Sequence, residues 1–336
     1  VLSRTFTLRP WSALDTRYDQ LEVLATTVNP AGTPVTLLAD TANAAIARPE
    51  PRGIPFPPEQ PYDALLVIGQ GDDRTEIPVS GLLFRFPHLD AWSGGFAVAK
   101  ARNLAQRNYD PVKGDAGLLP HNIATFDLAG AQDGSFYAGD GIEVLSFDVG
   151  GTIWTSYFDE ASAWLPVRQR RGRSETFEFG KDRVLVHMPG LIRWNRHGEI
   201  LWAAVHDPMK VDWCDCYALN VGTHRTWACP YTGFPLVDID EAGIRLVRRN
   251  PIRSSGAIAV DGSRAAFVGA TADRIPGRYV VTECHLGDGA VEPVVAGPLA
   301  MPDGTNPPCW FRRKVARGGR IWVQFDDPRV WYLLQL

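Results

Sequence analysis

The chain has 336 residues, with 34 Lys and Arg against 38 Asp and Glu, and a formal net charge of -4. That balance gives no electrostatic footprint for nucleic acid. With 45% hydrophobic residues the chain can bury a large core, and no apolar run reaches the roughly eighteen residues that a transmembrane helix needs.

The opening VLSRTFTLRPW lacks the basic-then-apolar pattern of a secretory signal. Within it, Thr5–Arg9 alternates like a strand. Helical spacing of apolar residues is scarce beyond it, and 32 Gly and 26 Pro punctuate short β-rich runs. Leu21–Val28, Pro34–Asp40, Ala64–Gln70 and Thr75–Ser80 form a first four-stranded unit. A second unit holds Leu83–His88, Phe96–Arg102, Asn122–Ala129 and Ser135–Gly139. The third holds Ile142–Asp148, Thr152–Phe158, Leu191–Asn195 and Glu199–Val205. The fourth holds Asp215–Val221, Thr226–Tyr231, Pro235–Asp240 and Ile244–Arg248. The fifth holds Gly256–Val260, Arg264–Ala270, Arg278–His285 and Ala290–Ala296. The sixth offers only Trp310–Ala316, Arg320–Asp326 and Val330–Leu336, so Thr5–Arg9 is expected to supply its missing outer strand.

The expected fold is therefore all-β: a six-bladed β-propeller whose last blade is closed by the N-terminal strand. It reads as one domain over 1–336, with blades at about 20–80, 83–139, 142–205, 213–249, 255–297, and 309–336 plus 3–9. An echo supports it: GGTIWTSYFDE in the third unit against GGRIWVQFDD in the sixth. Trp154 and Trp322 stand at equivalent places in that echo and are expected to be buried between blades.

The stretch GDGIEVLSFDVGGTIWTSYFDE, followed by LIRWNRHGEILW and CDCYALNV, resembles a group of uncharacterised bacterial six-bladed propeller proteins with a GDGI…G.IW.SYFDE pattern. A looser similarity runs to NHL-type and gluconolactonase-type propellers. The resemblance covers the middle third and implies the fold, without an activity. The sequence departs from the group at 159–190, a longer, arginine-rich insertion.

Five cysteines, odd in number and scattered, do not make a secreted disulfide framework. They read as reduced thiols packing as small hydrophobes, which makes the cytoplasm the expected compartment.

With strands lettered A to D from the axis outward, the A–B and C–D turns are short. The long connections all fall on the opposite face, which marks that face as the working surface. Candidate catalytic residues there are Asp140, His206, Asp207 and Asp215, suited to acid/base work or to metal binding. Candidate ligand-binding residues are His121, Asp212, Ser254, Ser255 and Asn306, joined by Arg170 and Arg171, whose guanidinium forks suit a carboxylate or phosphate. Against this stands a plainer reading, in which the aspartates satisfy loop N–H groups and the arginines are solvated. No cofactor motif is evident; a divalent metal in the axial channel is the one cofactor expectation.

Two functions follow. One is a pocket protein for a small polar or anionic ligand, extending to hydrolase, lyase or isomerase chemistry. The other is a scaffold that binds another protein. Neither a nucleic-acid nor a membrane partner is expected.

Overall fold

The computed structural model describes residues 2–48, 60–101, 121–158 and 190–336, together with short strands within 167–184. Six sheets, each with four antiparallel strands at its heart, form a six-bladed β-propeller. The innermost (A) strands are Glu22–Val28, Pro87–Trp92, Ile142–Phe147, Asp215–Val221, Ser255–Asp261 and Arg313–Arg317.

The second strands of blades one, two and three, Pro34–Ala39, Gly95–Lys100 and Ile153–Tyr157, are buried on both faces. In blade two, Phe96 and Val98 join the core shared with blade one, while Ala97 and Ala99 join the core shared with blade three. Successive side chains of a strand point to opposite faces, so one strand feeds two inter-blade cores. The same logic gives a core at every seam: one/two, two/three, three/four, four/five, five/six and six/one. Trp154 and Trp322 are 3% and 1% exposed in two of these seams, as their echo predicts.

The two hairpins of blade three share one turn device. Asp148 Oδ1 accepts from Gly150 N and Thr152 N, both at 2.9 Å, while Gly151 takes a φ of 81°. Asn195 repeats this with the N–H groups of His197 and Glu199, and Gly198 has a φ of 85°. A side-chain oxygen that mimics the turn's own acceptor, followed by glycine in the left-handed region, fixes a tight hairpin.

Four strands are displaced from expectation. The outer strand of blade two is Gln132–Phe136, not Ser135–Gly139, because Asp127 Oδ1 accepts from Ala129 N and Ala131 N and closes the turn early. The closing strand of blade six is Arg9–Ala13, paired with Val330–Leu333, and not Thr5–Arg9. Phe6–Thr7 instead runs parallel to the outer strand of blade five, with Phe6 opposite Leu299. The alternation of TFTLR is real, but Phe6 and Leu8 serve the five/six core, which lies before the closing strand. In blade two the inner strand is Pro87–Trp92, not Leu83–His88. Leu82 and Phe84 supply the apolar alternation there by packing into the one/two core, and Phe86 has a φ of 48°, which breaks any strand. In blade six the inner strand starts at Arg313, three residues later than Trp310. A short helix, Thr41–Ala47, is capped by Asp40 accepting from Asn43 N and lays Ala44 and Ala47 on blade one. Its seven residues are too few for a readable helical period.

The segregation of connections holds. The described A–B and C–D turns, such as 29–33, 148–152, 195–199 and 262–263, are short, while the connections that leave at 40, 101, 158 and 301 and return at 61, 122, 190 and 312 start and finish at the other face. Each inner strand begins at that face.

Candidate functional site

The site is organised by the inner strand of blade six, Arg313–Arg317 (RKVAR). Arg317, Val315 and Arg313 lie on one side of it by strand alternation, Lys314 and Ala316 on the other. Arg317 is buried and reaches across the axis. Its Nε donates to the Val28 carbonyl at 2.8 Å, one terminal nitrogen to the Phe147 carbonyl at 2.7 Å, and the other to Asp90 Oδ2 at 2.6 Å. Asp90, 0% exposed, also accepts from Phe147 N. Burial pushes the Asp90 carboxyl up, opposed by Arg317 and by that N–H. Blades six, one, two and three are thus tied at one point. Asn220 does the same for blades four, five and six, donating to the Ile258 and Gly318 carbonyls and accepting from Gly318 N. Arg317 lines cavities on both of its sides, so its guanidinium is a floor across the axis.

Above this floor, toward the long connections, lies an axial cavity of about 150 Å³. Blade six contributes Arg312, Arg313 and Lys314; blade three Glu143; blade four Tyr217; blade five Gly256. Lys314 Nζ lies against Gly256, 3.4 Å from where a Cβ would stand. Burial lowers the Lys314 pKa, with Glu143 opposing. Burial likewise lowers that of Arg313, with Glu143 and Asp90 opposing. Arg313 forms no ion pair among the described residues. One terminal nitrogen lies 3.4 Å from His88 Nδ1, and its Nε is buried without a partner. His88 brings no negative charge: burial, then Arg313, push its pKa down to about 3, so it is neutral near pH 7. The cavity therefore holds cations from three consecutive residues around one carboxylate, Glu143. Such a set attracts an anion, and a half-buried guanidinium that makes no ion pair and leaves its Nε unpartnered is a costly arrangement unless a ligand completes it.

The residues expected from sequence scatter. Asp215 and Ser255 open inner strands at the cavity's face, and Asp140 lies two residues before one. All three are buried, and the Ser255 hydroxyl has no partner. Asp207 stands on the outer rim, where it accepts from Trp202 Nε1 at 3.0 Å, Ile244 N at 2.8 Å and Met209 N at 2.9 Å, clamping blade three to blade four. His206 is exposed beside it. His121 bonds Ser135 at 2.7 Å on the outer half of blade two. Asp212 accepts from the Thr232 hydroxyl, and Ser254 and Asn306 are exposed. Arg170 ends a strand, Val167–Arg170, that pairs with Arg173–Thr176, but its side chain and all of Arg171 lie outside the described residues. The expectation that 159–190 covers the channel falls there too.

The channel cations were not among the sequence candidates. Their signal was FRRKVAR, a basic run entering an inner strand instead of a loop. Among the described residues no group of three His, Cys, Asp or Glu side chains converges. The cysteines are free thiols, with Cys216, Cys229 and Cys284 buried among apolar side chains. Among the described residues no helix is long and apolar enough to cross a membrane.

No known protein family matches the sequence, and no curated protein does, so the bacterial propeller likeness remains one of motif. Among solved structures, the chain is similar to Kuenenia stuttgartiensis hydrazine synthase at 10% identity and a TM-score of 0.45, covering 90% of this chain and 73% of that one. It is similar to Kluyveromyces lactis Hsv2 at 10% identity and 0.39, covering 94% and 98%. A gluconolactonase-type protein gives 10% and 0.40, covering 98% and 97%. Values this low say nothing about chemistry, which must be argued from the residues of the axial cavity.

Proposed function

We propose that the protein binds a small anionic molecule, through a carboxylate or phosphate group, in the axial cavity on the face of the long connections. The observation that carries this reading is Arg313: a guanidinium inside the propeller, with a buried unpartnered Nε and a neutral histidine as its neighbour. Lys314 and Arg312 add charge beside it. Charge-assisted hydrogen bonds shielded from water contribute roughly 1.5–3 kcal/mol each, enough for a small anion to be held. Any proton transfer after binding would fall to Glu143 and Lys314, the titratable pair facing the same space.

The test is titration of the full chain with acetate and with inorganic phosphate, read by calorimetry and by thermal unfolding, since a ligand specific for the native state must stabilise it. At least one anion is expected to bind, with affinity falling tenfold or more in Arg313→Lys and in Lys314→Met. No stabilisation by either anion, or unchanged affinity in both variants, would defeat the reading.

A further inference from the structure

A second cavity, of about 310 Å³, opens beside the axial one, between blade six and blades one and two. Arg312 and Arg313 form a wall common to both. Much of the remaining lining is apolar, including Leu24, Phe86, Pro87 and Pro328. Gln324 also lines it and is 0% exposed. Its Nε2 donates to the Pro328 carbonyl at 2.7 Å, which fixes the amide's orientation, because the flipped amide would set two oxygens against each other. That leaves Gln324 Oε1 as a buried acceptor with no donor. Arg313 Nε is a buried donor with no acceptor. Buried polar groups in folded proteins are almost always paired. Two orphans of opposite sense on one cavity therefore describe the molecule that would pair them.

We infer that this cavity is a subsite adjoining the anion site. The ligand it fits is a small organic acid that also carries a hydroxyl or N–H donor and an apolar ring or chain. Its anionic group meets Arg313, its donor meets Gln324 Oε1, and its apolar body lies against Leu24, Phe86 and Pro87. The inference rests on the anion-binding reading for its anchor, and adds the shape and second polar contact that turn an anion site into a selective one.

Four acids separate the contributions: acetate carries the anion alone, lactate adds a hydroxyl, phenylacetate adds a ring, and mandelate has both. Calorimetry on the full chain is expected to rank mandelate at least tenfold tighter than phenylacetate or lactate, and each of these tighter than acetate. Gln324→Met removes the acceptor at similar length. It should erase the advantage of mandelate over phenylacetate and leave acetate unchanged. Because that substitution also gives up the bond to Pro328, a crystal structure of the unaltered protein with mandelate is the second measurement. It should show the ring between blades six and one and the hydroxyl on Gln324. Equal affinities for all four acids, or a ring bound elsewhere, would overturn the subsite while the anion site stands. Failure of every acid and of phosphate to bind would instead overturn the anchor, and the subsite with it.

Discussion

His88 and Arg313 face each other at the wall shared by the two cavities, and a histidine serves that place only if it stays neutral. Protonation would set imidazolium against guanidinium in a buried space. Burial and Arg313 hold the His88 pKa down at about 3, against an ordinary value of 6.5. Between those values the unfolded chain takes up a proton that the folded protein refuses. Stability therefore rises with pH across the window and falls as acid is added, by at most about 1.4 kcal/mol per pH unit from this group. Urea unfolding at pH 4, 5 and 7 checks this. His88→Gln cannot protonate, so its stability relative to the unaltered protein should improve steadily from pH 7 to pH 4. A constant difference would show that His88 titrates normally in the folded state.

At the scale of the element, the second strand of each blade does most of the packing. Trp322 sits 5.5 Å from Trp11, centroid to centroid, in the seam that closes the ring, with Val28, Trp331 and Leu333 around it. Trp154 holds the three/four seam, its Nε1 3.3 Å from Asp148 Oδ2. The carboxylate that forms the preceding turn thus also steadies the ring that fills the seam. Trp322→Ala is expected to cost about 3–5 kcal/mol through the cavity it leaves. Trp322→Phe, which keeps part of the ring, should cost less. Denaturant unfolding measures both, and a loss below about 1 kcal/mol in the alanine variant would show that the seam collapses around the gap.

For the whole molecule the decisive contact is on the axis. Blades meet their neighbours through cores, but Arg317 and Asp90 join four blades at one point, and both are buried. Removing one partner leaves the other charge uncompensated, so Asp90→Ala should cost about 3–5 kcal/mol. The double variant Asp90→Leu with Arg317→Met should be the more stable of the two, because no charge is then stranded. If the single substitution proves as mild as a surface change, the axial pair is not what holds the ring's centre.

The sequence by itself determined the blades. Alternation, the Asp/Asn turns with glycine, and the GGTIW/GGRIW echo are local, so strands such as Asp215–Val221 and Thr226–Tyr231 could be read to the residue. It also determined which face carries the long connections, because that follows from strand order alone. The tertiary structure decided where charge converges. Arg313, Lys314, Glu143, His88 and Asp90 come from three different inner strands and meet only when the ring closes. Aspartates that look alike in sequence part company there: Asp207 becomes a rim clamp and Asp90 an axial counter-ion. The closing strand was decided the same way. TFTLR and RPWSA could each pair with an edge, and the placement of Phe6 and Leu8 in the five/six core left Arg9–Ala13 to complete blade six. A local pattern can say that a residue is buried or turned, but not which distant group it will face.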